Sequence, residues 1–129
     1  MCSSDLQKLT DEPTLVIAHS LGTVVAYNVI INNRQKLKLT KLITVGSPLG
    51  LRAVSSKLGP LCNPAGLNAW YNAYDPRDIV ALNPLDETYF PTAPSILNND
   101  TVQNQTDNRH GIIGYLNDRA VAEQVAAVL

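Results

Sequence analysis

The chain has 129 residues, is 45% hydrophobic and 16% charged, and carries ten Lys and Arg against eleven Asp and Glu for a formal charge of −1. That length builds one domain with a real core and is too short for two. The near-neutral balance, with neither a basic stripe nor an acidic tail, argues against nucleic acid or an anionic lipid surface as the partner.

Met1 to Pro13 is a polar leader, and the single domain is expected to fill the rest of the chain, residues 14–129. Leu15-Val16-Ile17 is a short, branched apolar run of the kind that forms a strand buried on both faces. After Ser20 the apolar spacing turns helical, through Leu21, Val24, Val25, Tyr27, Val29, Ile30 and Ile31 to a stop at Asn32-Asn33. A helix apolar over most of its circumference is expected to be buried against a sheet. Lys36 to Lys41 reads as a solvated basic loop, and Leu42 to Gly46 as a second buried strand closed by the turn Ser47-Pro48-Leu49-Gly50. Leu51 to Leu58 has helical character stopped by Gly59-Pro60, and Leu61 to Leu67 reads as a loop. Trp70 to Tyr74 is the third strand, with Trp70 in the core.

Between Asp78 and His110 the chain is rich in Pro, Asn, Asp, Thr and Gln and reads as irregular, with a brief strand at Thr101 to Gln103. A short helical turn around Ile112 to Leu116 follows. A last helix then starts at the Asn117-Asp118 cap and carries Val121, Ala122, Val125, Ala126 and Leu129. Strands alternating with helices imply the α/β class: a mostly parallel sheet with flanking helices. Cys2 and Cys62 give neither a disulfide framework nor metal-ligand spacing, so no metal and no cofactor is expected. No apolar run approaches the roughly 18 residues of a membrane span, and the start has no apolar signal core. A cytoplasmic protein without a transmembrane segment is the expectation.

The chemistry gathers at Ser20, at the corner between the first strand and the helix. A serine hydroxyl is a weak nucleophile and needs a base, usually an imidazole held in one tautomer by a carboxylate. Two histidines are available. His19 neighbours the serine on an extended strand end, where adjacent side chains point apart, so it is read as structural. His110 precedes a helix, where a loop at the carboxyl edge of the sheet can return it to the corner. Asp75 and Asp78 follow the third strand at that same edge, where open α/β sheets place their sites. Asp78 is preferred because Ile79-Val80 can anchor its loop, with Asp75, a turn former before Pro76, as the alternative acid.

The order Ser20, Asp78, His110 is that of the α/β-hydrolases. With Ile17-Ala18-His19-Ser20-Leu21-Gly22, Ile43 to Pro48, Asn72 to Val80 and Arg109 to Leu116, the chain resembles the C-terminal half of an α/β-hydrolase of the serine esterase and lipase type. The resemblance implies an acyl-enzyme mechanism on carboxylic esters: Ser20 as nucleophile, His110 as base, Asp78 orienting it, and the Leu21 N–H in the oxyanion hole. It implies a small-molecule or lipid-like ester as substrate. The nucleophile elbow ordinarily reads G-x-S-x-G because strand and helix nearly touch there; Ala18 and Gly22 occupy the flanking positions here. Members of this family carry several strands and an oxyanion loop before the elbow. Their absence between Met1 and Pro13 leaves the second oxyanion donor without a residue and makes the elbow strand an edge. That edge is expected to be met by an N-terminal half lying elsewhere or by a second copy in a homo-oligomer. Two other readings stand beside it: a weak or inactive hydrolase-fold module used for binding or assembly, and an unrelated α/β domain whose serine corner binds an anion.

Overall fold

Four short strands, β1 (Thr14–His19), β2 (Leu39–Val45), β3 (Trp70–Ala73) and β4 (Leu97–Asn99), run parallel in the order β1-β2-β3-β4. The computed structural model describes residues 13–33, 38–65 and 69–128. The leader to residue 12 with Cys2, and residues 34–37, which include Lys36 at the start of the expected basic loop, lie outside them. Parallel strands need crossovers, and these are α1 (Leu21–Asn33) between β1 and β2, and a 3-10 turn (Pro48–Gly50) with α2 (Arg52–Ser55) between β2 and β3. Residues 74–96 link β3 to β4 without a helix or strand. After β4 come a 3-10 turn (Asp107–Arg109), α3 (Ile112–Leu116) and α4 (Arg119–Ala126).

The fold is therefore of the α/β class, with helices on both faces of a parallel sheet. Alternation along the strands divides the core in two. Leu42 and Trp70 face one side with Tyr27 and Ile30 of α1, Leu49, Leu85 and Phe90; Ile43, Val45 and Tyr71 face the other with Val102, Tyr115 of α3 and Val121 of α4. Trp70, Tyr27 and Phe90 meet as an aromatic trio with ring centroids 5.4 to 6.0 Å apart. Each such buried side chain contributes about 1.5–3 kcal/mol. Asp118 caps α4 as expected, its side chain accepting from the Val121 amide at 3.1 Å. Among the described residues no helix is long and apolar enough to cross a membrane.

Several expectations are corrected. Lys41 is no loop residue: it is buried in β2, where its ammonium donates to the Gln124 side chain and, at 3.3 Å, to the Gln124 carbonyl oxygen. The fourth strand is Leu97–Asn99 rather than Thr101 to Gln103. Pairing with β3 overrides the poor strand propensity of two asparagines, and Asn98 is held there by Leu85, whose amide it accepts at 2.8 Å and whose carbonyl it reaches at 2.9 Å. Thr101 and Gln103 point to solvent while Val102 and Asn104 turn inward. The helix after Gly50 shortens to Arg52–Ser55, with no buried residue to extend it. Finally, α1 is not buried all round: only Thr23, Tyr27 and Ile30 are buried, while Leu21 and Val25 are 69% and 49% exposed. The reason is topological, since β1 ends the sheet order and leaves the outer flank of α1 without a neighbour among the described residues.

Candidate active site

All four strands deliver their carboxyl ends to one edge, and the corner after β1 is the sharpest feature there. Ser20 has φ +58°, a left-handed conformation that strains any residue with a Cβ. The strain is held from both sides. The Ser20 amide donates to the Val45 carbonyl at 3.2 Å, and the Ser20 carbonyl accepts from the Thr23 hydroxyl at 2.7 Å and the Thr23 amide at 3.0 Å. Because Thr23 spends its one proton there, its 2.7 Å contact with Ser47 makes the Ser47 hydroxyl the donor. Ser47 Oγ in turn accepts from the Leu49 amide at 3.1 Å. Ser47 is thus more than the turn residue expected: a buried chain from the 3-10 turn fixes the elbow.

Ser20 Oγ lies 2.7 Å from His110 Nε2, and His110 Nδ1 lies 2.7 Å from Asp78 Oδ2. The structure therefore brings Ser20, His110 and Asp78 into one hydrogen-bonded relay across 90 residues of sequence. Asp78 is 0% exposed, and its charge is compensated by hydrogen bonds: Oδ1 accepts from the Val80 amide at 2.9 Å, and Oδ2 also accepts from the Tyr115 hydroxyl at 2.6 Å. Asp75, the alternative acid, does not reach His110. Its carboxylate accepts from the Arg77 amide at 2.9 Å, the Arg77 guanidinium at 3.3 Å and the Asn104 amide at 2.9 Å. Burial alone would push this carboxyl up, yet those donors outweigh it and hold Asp75 below the usual carboxylate value.

Leu21 opens α1, so its amide belongs to the first turn and has no intrahelical acceptor, while its side chain stands 69% exposed beside the serine. His19 Nε2 meets the His110 carbonyl oxygen at 2.6 Å, a backbone bond to a residue far along the chain. Gly22 departs from the tight elbow, because a Cβ there would meet nothing within 4 Å. Gly46, not Gly22, is the close approach: at φ +57° it ends β2, and a Cβ would come 2.8 Å from Tyr115 Cε2 and 3.2 Å from both Asp78 Oδ2 and His110 Nδ1.

Sequence reasoning missed the residues that set the His110 loop. Asn104 is fully buried; its Oδ1 accepts from the Thr106 amide at 2.9 Å and its Nδ2 donates to the Gly111 carbonyl at 2.9 Å, while the Gly111 amide donates to Thr106 Oγ1 at 2.7 Å. The loop is tied across its neck, with Asn108 and Arg109 taking φ +57° and +60° inside it. An Asn-x-Thr pair ahead of a Gly is a weak signal, legible only once the loop's closure is known. Tyr115, three residues past the start of α3, gives no sequence signal beyond apolarity. Among the described residues no group of three His, Cys, Asp or Glu side chains gathers as a metal site. Compared with protein-family models, with curated proteins and with solved structures, the chain matches none.

Proposed function

We propose that this chain is a serine hydrolase acting on carboxylic esters, built as the C-terminal half of an α/β-hydrolase fold. The observation that carries the reading is the 2.7 Å contact of His110 Nε2 with the oxygen of a serine at φ +58°. Such a strained corner is maintained only where the surroundings over-determine it, and such strain clusters at active sites. Ser20 Oγ attacks the ester carbonyl as His110 Nε2 takes its proton, and Asp78 holds the imidazole in the tautomer with Nδ1 protonated. The Leu21 N–H donates to the oxyanion. His110 then returns the proton to the departing alcohol, leaving an acyl group on Ser20. A water, deprotonated by the same imidazole, attacks that acyl carbon, the carboxylic acid leaves and Ser20 is restored. The substrate is a small-molecule or lipid-like ester met in the cytoplasm.

A second reading is favoured by two observations: among the described residues β1 ends the sheet, and the start of α1 is open around Gly22 and Leu21. On it, the chain is a hydrolase-fold module with its relay intact but no turnover, completed by an N-terminal half or a second copy along β1. Labelling with a fluorophosphonate, with Ser20→Ala as control, decides between the readings. Stoichiometric labelling lost in the variant supports the hydrolase. A folded protein that does not label overturns it, and thermal stabilisation by phosphate in that case favours an anion site at the corner.

A further inference from the structure

We propose that Tyr115 is a positioning residue of this site, whose hydroxyl holds Asp78 in the orientation and charge state that set the basicity of His110. The inference rests on the hydrolase reading above for its consequence, and on hydrogen-bond geometry for its substance. The Tyr115 oxygen is 3.1 Å from the Asp75 amide, which can only donate. The single phenol proton is therefore left for Asp78 Oδ2, at 2.6 Å. Burial, ahead of the pull of neighbouring groups, pushes the phenol above its ordinary value, so it stays neutral and a donor.

The same Oδ2 also takes His110 Nδ1 at 2.7 Å, so tyrosine and histidine share one oxygen. No Lys or Arg side chain pairs with Asp78 among the described residues. Its negative charge is thus divided between an amide, a phenol and the imidazole. The ring has little room to turn away: a side-chain carbon at Gly46 would come within 2.8 to 3.2 Å of Tyr115, Asp78 and His110 alike, and Tyr115 is wholly buried where α3 packs on β2 and β3. Five positions separate His110 from Tyr115, so the segment that brings the base also brings the donor.

Removing the phenol proton donor leaves more of the carboxylate's charge for Nδ1, which stabilises the imidazolium. The titratable groups beside His110 are Asp78 after β3, His19 at the end of β1 and Tyr115 on α3, while Asp107 and Arg109 precede it in its own loop. His19 is the other imidazole beside it, its ring 4.7 Å away, so each experiment is repeated with His19→Gln.

The test is an NMR titration of His110 in the wild type and in Tyr115→Phe, beside fluorophosphonate labelling of Ser20 from pH 6 to pH 9. We expect the variant to bind the His110 proton about threefold more tightly, roughly half a pKa unit, and to label more slowly near pH 6 with the difference narrowing toward pH 9. A folded Tyr115→Phe with unchanged His110 titration overturns the proposal. Should that variant not fold, the wild-type Tyr115 ring-carbon resonance gives the same answer: it must shift with the His110 midpoint, and a flat signal overturns the coupling. A wild type that fails to label overturns the hydrolase reading instead, while the His110 titration still decides the role of Tyr115.

Discussion

His19 Nε2 stands 2.6 Å from the main-chain oxygen of His110, and the two imidazole rings lie 4.7 Å apart at a tilt of 34°. A carbonyl only accepts, so His19 carries its proton on Nε2. The end of β1 is thereby fastened to the loop that carries His110 to Ser20. Replacing His19 with Ala is expected to cost about 1 kcal/mol of stability for the lost bond and to slow Ser20 labelling roughly tenfold through displacement of His110. His19→Gln, whose amide nitrogen reaches the place of Nε2, should recover most of both. Denaturant unfolding and labelling rates measure the two effects, and an Ala variant that labels at the wild-type rate would remove His19 from the site.

The left-handed φ of Ser20 makes a separate, sharper expectation. A residue with a Cβ in that region carries about 1–2 kcal/mol of strain, whereas glycine carries little. Ser20→Gly and Ser20→Ala both lose the hydroxyl and its bond to His110, so comparison of the two isolates the backbone. The Gly variant should be the more stable by about 1 kcal/mol in equilibrium unfolding, and neither should label. Equal stabilities would mean that the corner relaxes out of the left-handed region once the hydroxyl is gone.

How much of this was legible beforehand depends on the range of the interaction involved. The parallel strands β1 and β2 are visible as branched apolar runs and β3 as a short aromatic one, and the order Ser20, Asp78, His110 marks one sheet edge, because each of these signals is local or topological. The choice between Asp78 and Asp75 rests on what surrounds each carboxylate: Ile79, invoked as an anchor of the Asp78 loop, is in fact 74% exposed, and that loop is tied to Asp78 by the Val80 amide at the carboxylate and the Ala81 amide at the main-chain carbonyl. Asp75 is instead consumed by Arg77 and Asn104. The β4 asparagines, the buried Lys41 and the Tyr115 hydroxyl were illegible for one reason. Each is a polar group whose placement is decided by partners 13 or more residues away, and a sequence shows the group without the partner.

The Asp75 clamp should appear in the acid stability of the protein. Its carboxyl titrates lower in the folded chain than its ordinary value of 3.8, because the Arg77 and Asn104 donors outweigh burial. A depressed folded value stabilises above the unfolded pKa, and the contribution is lost as pH falls through the folded one. Asp75→Asn should therefore destabilise at pH 7, by about 1.5–3 kcal/mol for hydrogen bonds made to a buried charged group. Its disadvantage should shrink steadily below pH 4. Unfolding free energies at pH 7, 4 and 2.5 provide the measurement, and a penalty that does not change with pH would assign the clamp to shape rather than charge.

Gly22 offers a way to learn what, if anything, covers the elbow. In a closed elbow the position two after the serine admits only a very small side chain, but here a Cβ at Gly22 has open space for 4 Å. Its φ lies outside the left-handed region, and it sits in the first turn of α1. Ala is the better helix former and loses less freedom on folding, so Gly22→Ala should stabilise this chain by about 0.5 kcal/mol and leave Ser20 labelling unchanged. The exposed side chains of Leu21 and Val25 flank the same opening, and Ile17 of β1 is 39% exposed. A covering segment or a second copy along β1 would fill that space. In that case the added methyl group would clash, and the substitution would lower stability and shift the self-association seen by light scattering. The sign of the Gly22→Ala effect, read at tens of micromolar and again at tenfold dilution, thus separates a chain that stands alone at this edge from one that is completed there.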